Sequence, residues 1–161
     1  MAHVETSVIV NVPVSTAYNQ WTQFEEFPKF MRGVLAVERI DERRSRWRAH
    51  VAGKLKEWEA EIQEQVPDTR IIWRTTGGTE TAGIVRFQAR GRGSTIIRVQ
   101  LSFMPETFGE HVGHRLGFAH RKVESDLRCF RRFIEARGEE TGAFRETLPN
   151  ENVPGGFTRA K

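Results

Sequence analysis

The stretch that decides the fold is residues 108–137, FGEHVGHRLGFAHRKVESDLRCFRRFIEAR. Apolar residues recur in it at spacings of three and four, as they do on one face of an α-helix; they are Val112, Leu116, Ala119, Val123, Leu127, Phe130 and Ile134. Gly138 follows, where a helix commonly ends. A helix of about 30 residues is about 45 Å long and must cover its apolar stripe with another layer. The sequence therefore predicts a long, one-sided helix packed on the rest of the chain.

The residues before this helix predict an antiparallel sheet. Apolar and polar residues alternate from Val4 to Val12, which indicates a first strand, and two short helices follow, around 14–22 and through Phe24 and Phe27. Six further strands are then expected at about 33–41, 43–51, 54–65, 69–76, 81–90 and 94–104. Their joins are short and rich in turn residues, so successive strands should form hairpins.

Two hairpins can be registered from their side chains. With Val51 opposite Lys54, three arginines face three glutamates on one side and Trp47 faces Trp58 on the other. In the last hairpin the matching pairs are Phe87 with Ile97, Val85 with Val99 and Gly83 with Leu101. Both registers place their bulky apolar residues on one face, which predicts the concave side of the sheet.

Composition indicates a globular chain of one domain. The 161 residues are 38% hydrophobic and 29% charged, and no apolar run is long enough to span a bilayer, so no stable membrane insertion is expected. The first residues lack a signal-peptide pattern and Cys129 is the single cysteine, which together favour a cytoplasmic location. Residues 139–161 are mostly polar, with several Pro and Gly, and we expect a disordered tail after a domain of residues 1–138.

The basic charge does not indicate a nucleic-acid partner. The net charge is +4 and the pI about 9.7, but the arginines are dispersed among glutamates. In the register above, the Trp residues point away from the arginine-bearing face, so aromatic and basic groups are not interleaved there. No nucleic acid is therefore expected, and the oligomeric state is left open.

Four stretches resemble the polyketide cyclase/dehydrase branch of the START-like (SRPBCC) superfamily. They are VPVSTAYNQWTQFEEFPKFMRGV (12–34), WEAEI (58–62) with Pro67-Asp68, IWR (72–74) and DLRCF (126–130). The resemblance covers about residues 3–137 and implies an α+β helix-grip fold. In that fold a curved antiparallel sheet of about seven strands grips a long C-terminal helix around a hydrophobic cavity. Members include aromatic polyketide cyclases and coenzyme Q-binding proteins.

The resemblance implies binding of a hydrophobic, aromatic or polycyclic small molecule inside the cavity. One hypothesis is a polyketide cyclase/dehydrase-like enzyme, which folds a reactive chain and moves protons with one or two polar groups. The alternative is a non-enzymatic carrier of a quinone or lipid. A cyclase requires a titratable group in the cavity and a carrier requires none, so enzymatic activity stays open at this point.

Candidate site residues follow from these faces. His120 and Tyr18 are the candidate catalytic groups, although surface exposure or core packing is the ordinary role of such residues. The candidate ligand-binding residues, for which ordinary core packing is the alternative, are Trp21, Phe27, Phe30, Met31, Trp47, Trp58, Trp73, Val85, Phe87, Leu101, Phe103 and Leu116. Lys56 is expected at the rim. No cofactor is expected, and no metal, because Glu110, His111 and His114 lack further ligands to complete a tetrahedral site.

Overall fold

The computed structural model describes residues 2–51, 53–76, 81–103 and 112–150. The helices are α1, Val14–Trp21, and α2, Val112–Arg137, and a 3₁₀ helix, Phe24–Lys29, follows α1. The strands are β1 Ala2–Val10, β2 Val34–Arg39, β3 Arg44–Val51, β4 Lys54–Val66, β5 Arg70–Thr76, β6 Thr81–Ala89 and β7 Thr95–Phe103. The element order is the one predicted, and the predicted start of the long helix near residue 108 lies outside the described residues.

The strands form one antiparallel sheet in the order β1-β7-β6-β5-β4-β3-β2. Strands β2 to β7 are joined to their sequence neighbours, and β1 returns to pair with β7. The long helix α2, which is the last of these elements in the chain, packs on the sheet. This is the α+β helix-grip architecture that the sequence predicted, so the fold class is confirmed.

Both predicted hairpin registers are confirmed. Trp47 lies opposite Trp58, and Val85 opposite Val99. On the outer face the charge pairs form as expected in two of three cases, Arg46 with Glu59 and Arg48 with Glu57. The third differs: Arg44 lies opposite Glu61, but its guanidinium reaches Asp41 at 3.0 Å, in the turn beside it.

The core connects the helices to the sheet through aromatic side chains. Trp21 of α1 meets Phe87 of β6 edge-on at 6.0 Å between ring centroids, and Phe130 of α2 at 5.0 Å. Leu127, Phe130 and Ile134 of α2 are buried, as the stripe predicts. The C-terminal part of α2 is therefore fixed to the sheet through Trp21.

Residues 139–150 pack on the domain, so the prediction of a disordered tail is wrong for this segment. Leu148 is buried and pairs with Gln65 of β4 through two backbone hydrogen bonds of 2.8 Å. Arg145 contacts the carboxylate of Asp68 at 2.9 Å and donates to Asn19 Oδ1 at 2.6 Å. These contacts are long-range and have no helical or strand period, which is why the sequence pattern missed them. Residues 151–161 lie outside the described residues, and their disorder stays a prediction.

We expect Leu148→Ala to lower the free energy of unfolding by about 2–3 kcal/mol, because it leaves a cavity under the C-terminal segment. Thr147→Ala is the matched control, since the neighbouring threonine is exposed and should change stability by less than about 0.5 kcal/mol. Urea unfolding of both variants measures the difference. Equal stability of the two variants would show that the segment does not dock.

Candidate ligand-binding cavity

A cavity of about 470 Å³ lies between the concave face of the sheet and α2. Its sheet wall carries Trp47, Trp58 and Trp73, together with smaller apolar residues of β4, β5 and β7. The segment around the 3₁₀ helix supplies a second wall with Phe24, Phe27 and Met31, and Trp21 contributes from the end of α1. The third wall is α2, through Val123, Asp126 and Leu127. Volume and lining are those of a small-molecule pocket.

Flat aromatic surfaces dominate the sheet wall. The rings of Trp47 and Trp58 lie nearly parallel, with 11° between their planes and 6.2 Å between centroids. Phe27 meets Trp47 edge-on at 5.4 Å, and the indole N–H of Trp47 donates to Ser45 Oγ at 2.9 Å. These contacts hold the Trp47 ring in place, so a planar ligand would meet a prepared surface.

The opening lies at one end of the sheet. The exposed lining residues Val51, Lys56 and Glu57 belong to the β3–β4 hairpin, and Thr75 and Thr81 stand at the adjoining ends of β5 and β6. Lys56 thus lies at the rim, where the sequence placed it. The polar groups of the rim contrast with the aromatic interior.

Gly83 allows Trp73 to lie close to the sheet. A Cβ atom at this position would clash with the indole carbons Cζ2 and Cη2 of Trp73, the residue opposite it on β5. Any side chain there must displace the indole of Trp73, which also lines the cavity. The glycine therefore keeps Trp73 against the sheet and the cavity open.

We expect Gly83→Ala to destabilise the fold by about 1–3 kcal/mol and to reduce uptake of an apolar dye, because the displaced indole enters the cavity. Gly93→Ala is the matched control, since a Cβ there meets no atom within 4 Å and the residue lies in a distant turn. Thermal unfolding and dye titration of both variants give the answer. A Gly83→Ala protein as stable and as dye-competent as Gly93→Ala would contradict this account.

One ionisable pair stands at the helix wall. The Nζ of Lys122 lies 2.8 and 2.7 Å from the two carboxylate oxygens of Asp126, and it also donates to the carbonyl oxygen of Arg32 at 3.0 Å. The Asp126 side chain is 12% exposed. Burial raises the pKa of Asp126 above its usual value, and the hydrogen bond and charge of Lys122 oppose the shift. The cavity thus contains a carboxyl group that takes up a proton more readily than an exposed aspartate.

Seven of the predicted ligand-binding residues line the cavity; they are Trp21, Phe27, Met31, Trp47, Trp58, Trp73 and Leu101. Four do not line it but lie buried in the core, namely Phe30, Val85, Phe87 and Phe103. Phe30 packs against Phe130, and Phe87 is covered by Tyr18 and Trp21 of α1. Val85, Phe87 and Phe103 share the concave face of the sheet with cavity residues but are covered by other elements, and Phe30 lies outside the strands. The side chain of Leu116 lies outside the described residues, as do those of Glu110, His111 and His114.

Neither candidate catalytic residue lines the cavity. His120 is exposed on α2. Tyr18 is fully buried, its ring meets Phe87 edge-on at 5.4 Å, and the guanidinium of Arg145 lies 5.5 Å from the ring centroid. Burial raises the pKa of Tyr18 to about 12. Neither side chain is therefore placed to act on a molecule in the cavity.

Asp126 and Phe24 line the cavity but are not among the residues predicted from the sequence. Asp126 follows Val123 by three and precedes Phe130 by four, so it lies within the apolar stripe of α2. A carboxylate at such a position is the signal that could have identified it. Its spacing of four from Lys122 instead suggests an ordinary surface ion pair. The sequence predicts Phe24 in the short helix and gives no sign that it faces the cavity.

The pH dependence of ligand affinity tests the placement of Asp126. A neutral apolar ligand removes water from the carboxyl group and raises its pKa further, so the protonated protein binds more tightly. We expect affinity for a neutral apolar dye to rise as the pH falls from about 7 to about 4.5. Asp126→Asn should bind well throughout this range and lose the dependence.

Dye titrations at several pH values measure this effect. Glu124→Gln is the matched control, because Glu124 is exposed on the same helix and does not line the cavity. It should keep the dependence of the parent protein. If Asp126→Asn keeps it too, the carboxyl group does not face the ligand.

An antiparallel sheet closed by a long C-terminal helix over an apolar cavity is the helix-grip fold, which START-like proteins share. Residues 10–131 match the family described as polyketide cyclase/dehydrase and lipid transport, and the chain belongs to this family. The resemblance noted in the sequence is thereby confirmed. No described helix is both long and apolar enough to cross a membrane.

The chain is also similar to one curated protein in sequence and to solved structures in fold. The chain is 48% identical over 146 residues to an uncharacterized 17.2 kDa protein of Streptomyces lincolnensis, a match that spans 90% of this chain and 97% of that protein. A START superfamily protein from Mycobacterium smegmatis superposes with a TM-score of 0.76 at 14% identity, covering 84% of this chain and 98% of the other. The Zhui aromatase/cyclase from Streptomyces sp. R1128 gives 0.72 at 18% identity, covering 89% and 99%. At these identities the two structures show a common fold.

Proposed function

We propose that this protein binds a flat, largely apolar small molecule, aromatic or polycyclic, in the cavity between the sheet and α2. The observation that carries the proposal is the preformed indole surface of Trp47 and Trp58 inside a cavity of about 470 Å³. Ordinary core packing would fill such a space with side chains, whereas here aromatic surface is left facing it. A planar ring system would cover this surface with little rearrangement.

Asp126 supports a catalytic version of this proposal, in which the protein is a polyketide cyclase/dehydrase. A carboxyl group with a raised pKa can give a proton to a departing hydroxyl or take one from an activated carbon. Lys122, bound to both carboxylate oxygens, fixes its direction. The likeness to an aromatase/cyclase fold is compatible with this role. The cavity walls would supply the rest of the rate acceleration by holding the polyketide chain in one folded shape.

A carrier of a quinone or lipid is the alternative, and the placement of His120 and Tyr18 outside the cavity favours it. With both residues excluded, Asp126 is the buried carboxyl group that the described residues bring to the cavity wall. An ion pair of this kind can also serve structure alone, by tying α2 to the loop at Arg32. The single cysteine is free, and we place either function in the reducing cytoplasm.

Calorimetric titration with two probes of similar volume tests the binding proposal. We expect a planar tricyclic quinone to bind at least about tenfold more tightly than a linear saturated fatty acid, because only the planar probe covers the indole surface. Trp58→Leu should lose about tenfold in quinone affinity. Trp58 stands near the rim and is only half-buried, so this variant should still fold.

Phe133→Leu is the matched control, because Phe133 is an aromatic residue of α2 that does not line the cavity. It should bind the quinone like the parent protein. Equal affinities for the two probes, or equal losses in the two variants, would contradict the proposal.

To separate enzyme from carrier, Asp126→Asn is compared with the parent for conversion of a bound poly-β-ketone mimic. Loss of conversion with retained binding supports the enzyme.

A further inference from the structure

We propose that the tip of the β3–β4 hairpin, with the start of β2 beside it, docks this protein on an anionic lipid surface. This corner consists of Arg32, Leu35, His50, Val51, Lys54, Leu55 and Lys56, and we call it the hairpin corner. The proposal goes beyond ligand binding, and only its purpose, ligand exchange with a membrane, rests on the proposed function.

Exposed apolar side chains concentrate at the hairpin corner. Leu55 is 52% exposed, Leu35 47% and Val51 38%, and they are three of the few large apolar side chains that the described residues leave in water. Val51 and Leu55 flank the turn at Gly53, whose φ of 81° needs a glycine. Leu35 lies at the bulge between Val34, opposite Ala49, and Ala36, opposite Arg48. Isolated exposed leucines are common, but their grouping at one end of the sheet indicates a contact surface.

The charges of the hairpin corner are basic. Lys54 and Lys56 flank Leu55, and both are exposed, as is Arg32. The backbone N–H of His50 donates to the carbonyl oxygen of Gly33 at 2.8 Å, which brings the residues after Arg32 to the hairpin. Glu57, an acid of the same hairpin, is paired with Arg48 at 3.1 Å. By strand alternation Lys54 and Lys56 lie on the face of Val51, and Leu55 lies on the other face, so both faces of the hairpin end carry exposed side chains. Apolar side chains that share one end of the sheet with lysine and arginine match an anionic lipid interface, where each basic residue adds to the attraction.

The hairpin corner borders the opening of the cavity. Val51 and Lys56 belong to both, and the ends of β5 and β6 at Thr75 and Thr81 lie at the same end of the sheet. Docking through this tip would therefore point the opening toward the lipid, and an apolar ligand could pass without crossing water. Exposed apolar side chains together with basic groups at the mouth of an apolar cavity favour an anionic lipid surface over a protein partner, so we commit to lipid.

The test uses co-sedimentation with vesicles of phosphatidylcholine, alone or with about one third phosphatidylglycerol. We expect binding to the mixed vesicles, little to the neutral ones, and a decline with added salt. The combined variant Lys54→Glu/Leu55→Ser should bind mixed vesicles about tenfold less or weaker still. Neither residue lines the cavity, so dye affinity in vesicle-free buffer should stay that of the parent protein.

The matched control is Arg92→Glu/Ile9→Ser. It makes the same change of charge and removes an apolar side chain exposed to 40%, but at the opposite end of the sheet. It should bind vesicles within about twofold of the parent. Equal losses in both variants, equal binding to neutral vesicles, or no co-sedimentation at all would overturn the docking proposal. If the true partner is an acidic protein, the result is no co-sedimentation at all.

The two proposals fail separately in this design. Vesicle binding without dye uptake contradicts the proposed function but supports the docking surface. Dye uptake without vesicle binding supports the proposed function but contradicts the docking surface. Thermal unfolding of each variant confirms that a loss of binding is not a loss of fold.

Discussion

The contact of Trp21 with both layers is the interaction on which the rest of the structure depends. This residue, at the end of α1, touches Phe87 of the sheet on one side and Phe130 of α2 on the other. The indole of Trp21 fills the space between α2 and the sheet, and the buried aromatic residues around it also fill this space. The long helix is held there by large side chains that cannot collapse further. The remaining space along the concave face, toward the β3–β4 hairpin, stays open as the cavity.

The chemistry of the cavity follows from this arrangement. Its walls are aromatic and aliphatic, and the carboxyl group of Asp126 stands among them with its pKa raised by burial. An isolated buried carboxylate is unfavourable, and the ammonium group of Lys122 offsets part of that effect. Such a pair at the cavity wall, where an apolar pair would serve packing as well, gives the described lining a carboxyl group that can exchange a proton. If that carboxyl group takes no part in chemistry, the same cavity would serve a carrier.

Local patterns predicted most of the fold and only part of the site. Strand order and register depend on alternation and short turns, and the pairing of Trp47 with Trp58 could therefore be read from the sequence. Alternation identifies the face of a residue but not what covers it, and so Phe87 and Val85 were assigned to the cavity although they lie in the core. The docking of Leu148 on Gln65 joins residues far apart in the chain through backbone bonds that have no sequence pattern. Asp126 was not predicted for a related reason: its spacing of four from Lys122 is also that of an ordinary ion pair on a helix surface.

The central claim is that the space under α2 is a ligand site and not a packing defect. Native mass spectrometry of protein purified from its own host, followed by extraction into organic solvent, tests it most directly. We predict a stoichiometric added mass that is released by extraction and absorbs as a conjugated or aromatic compound. Trp58→Leu, prepared in the same way, should carry less of it. A parent protein without added mass, which also takes up no planar aromatic compound when one is supplied in excess, would contradict the account.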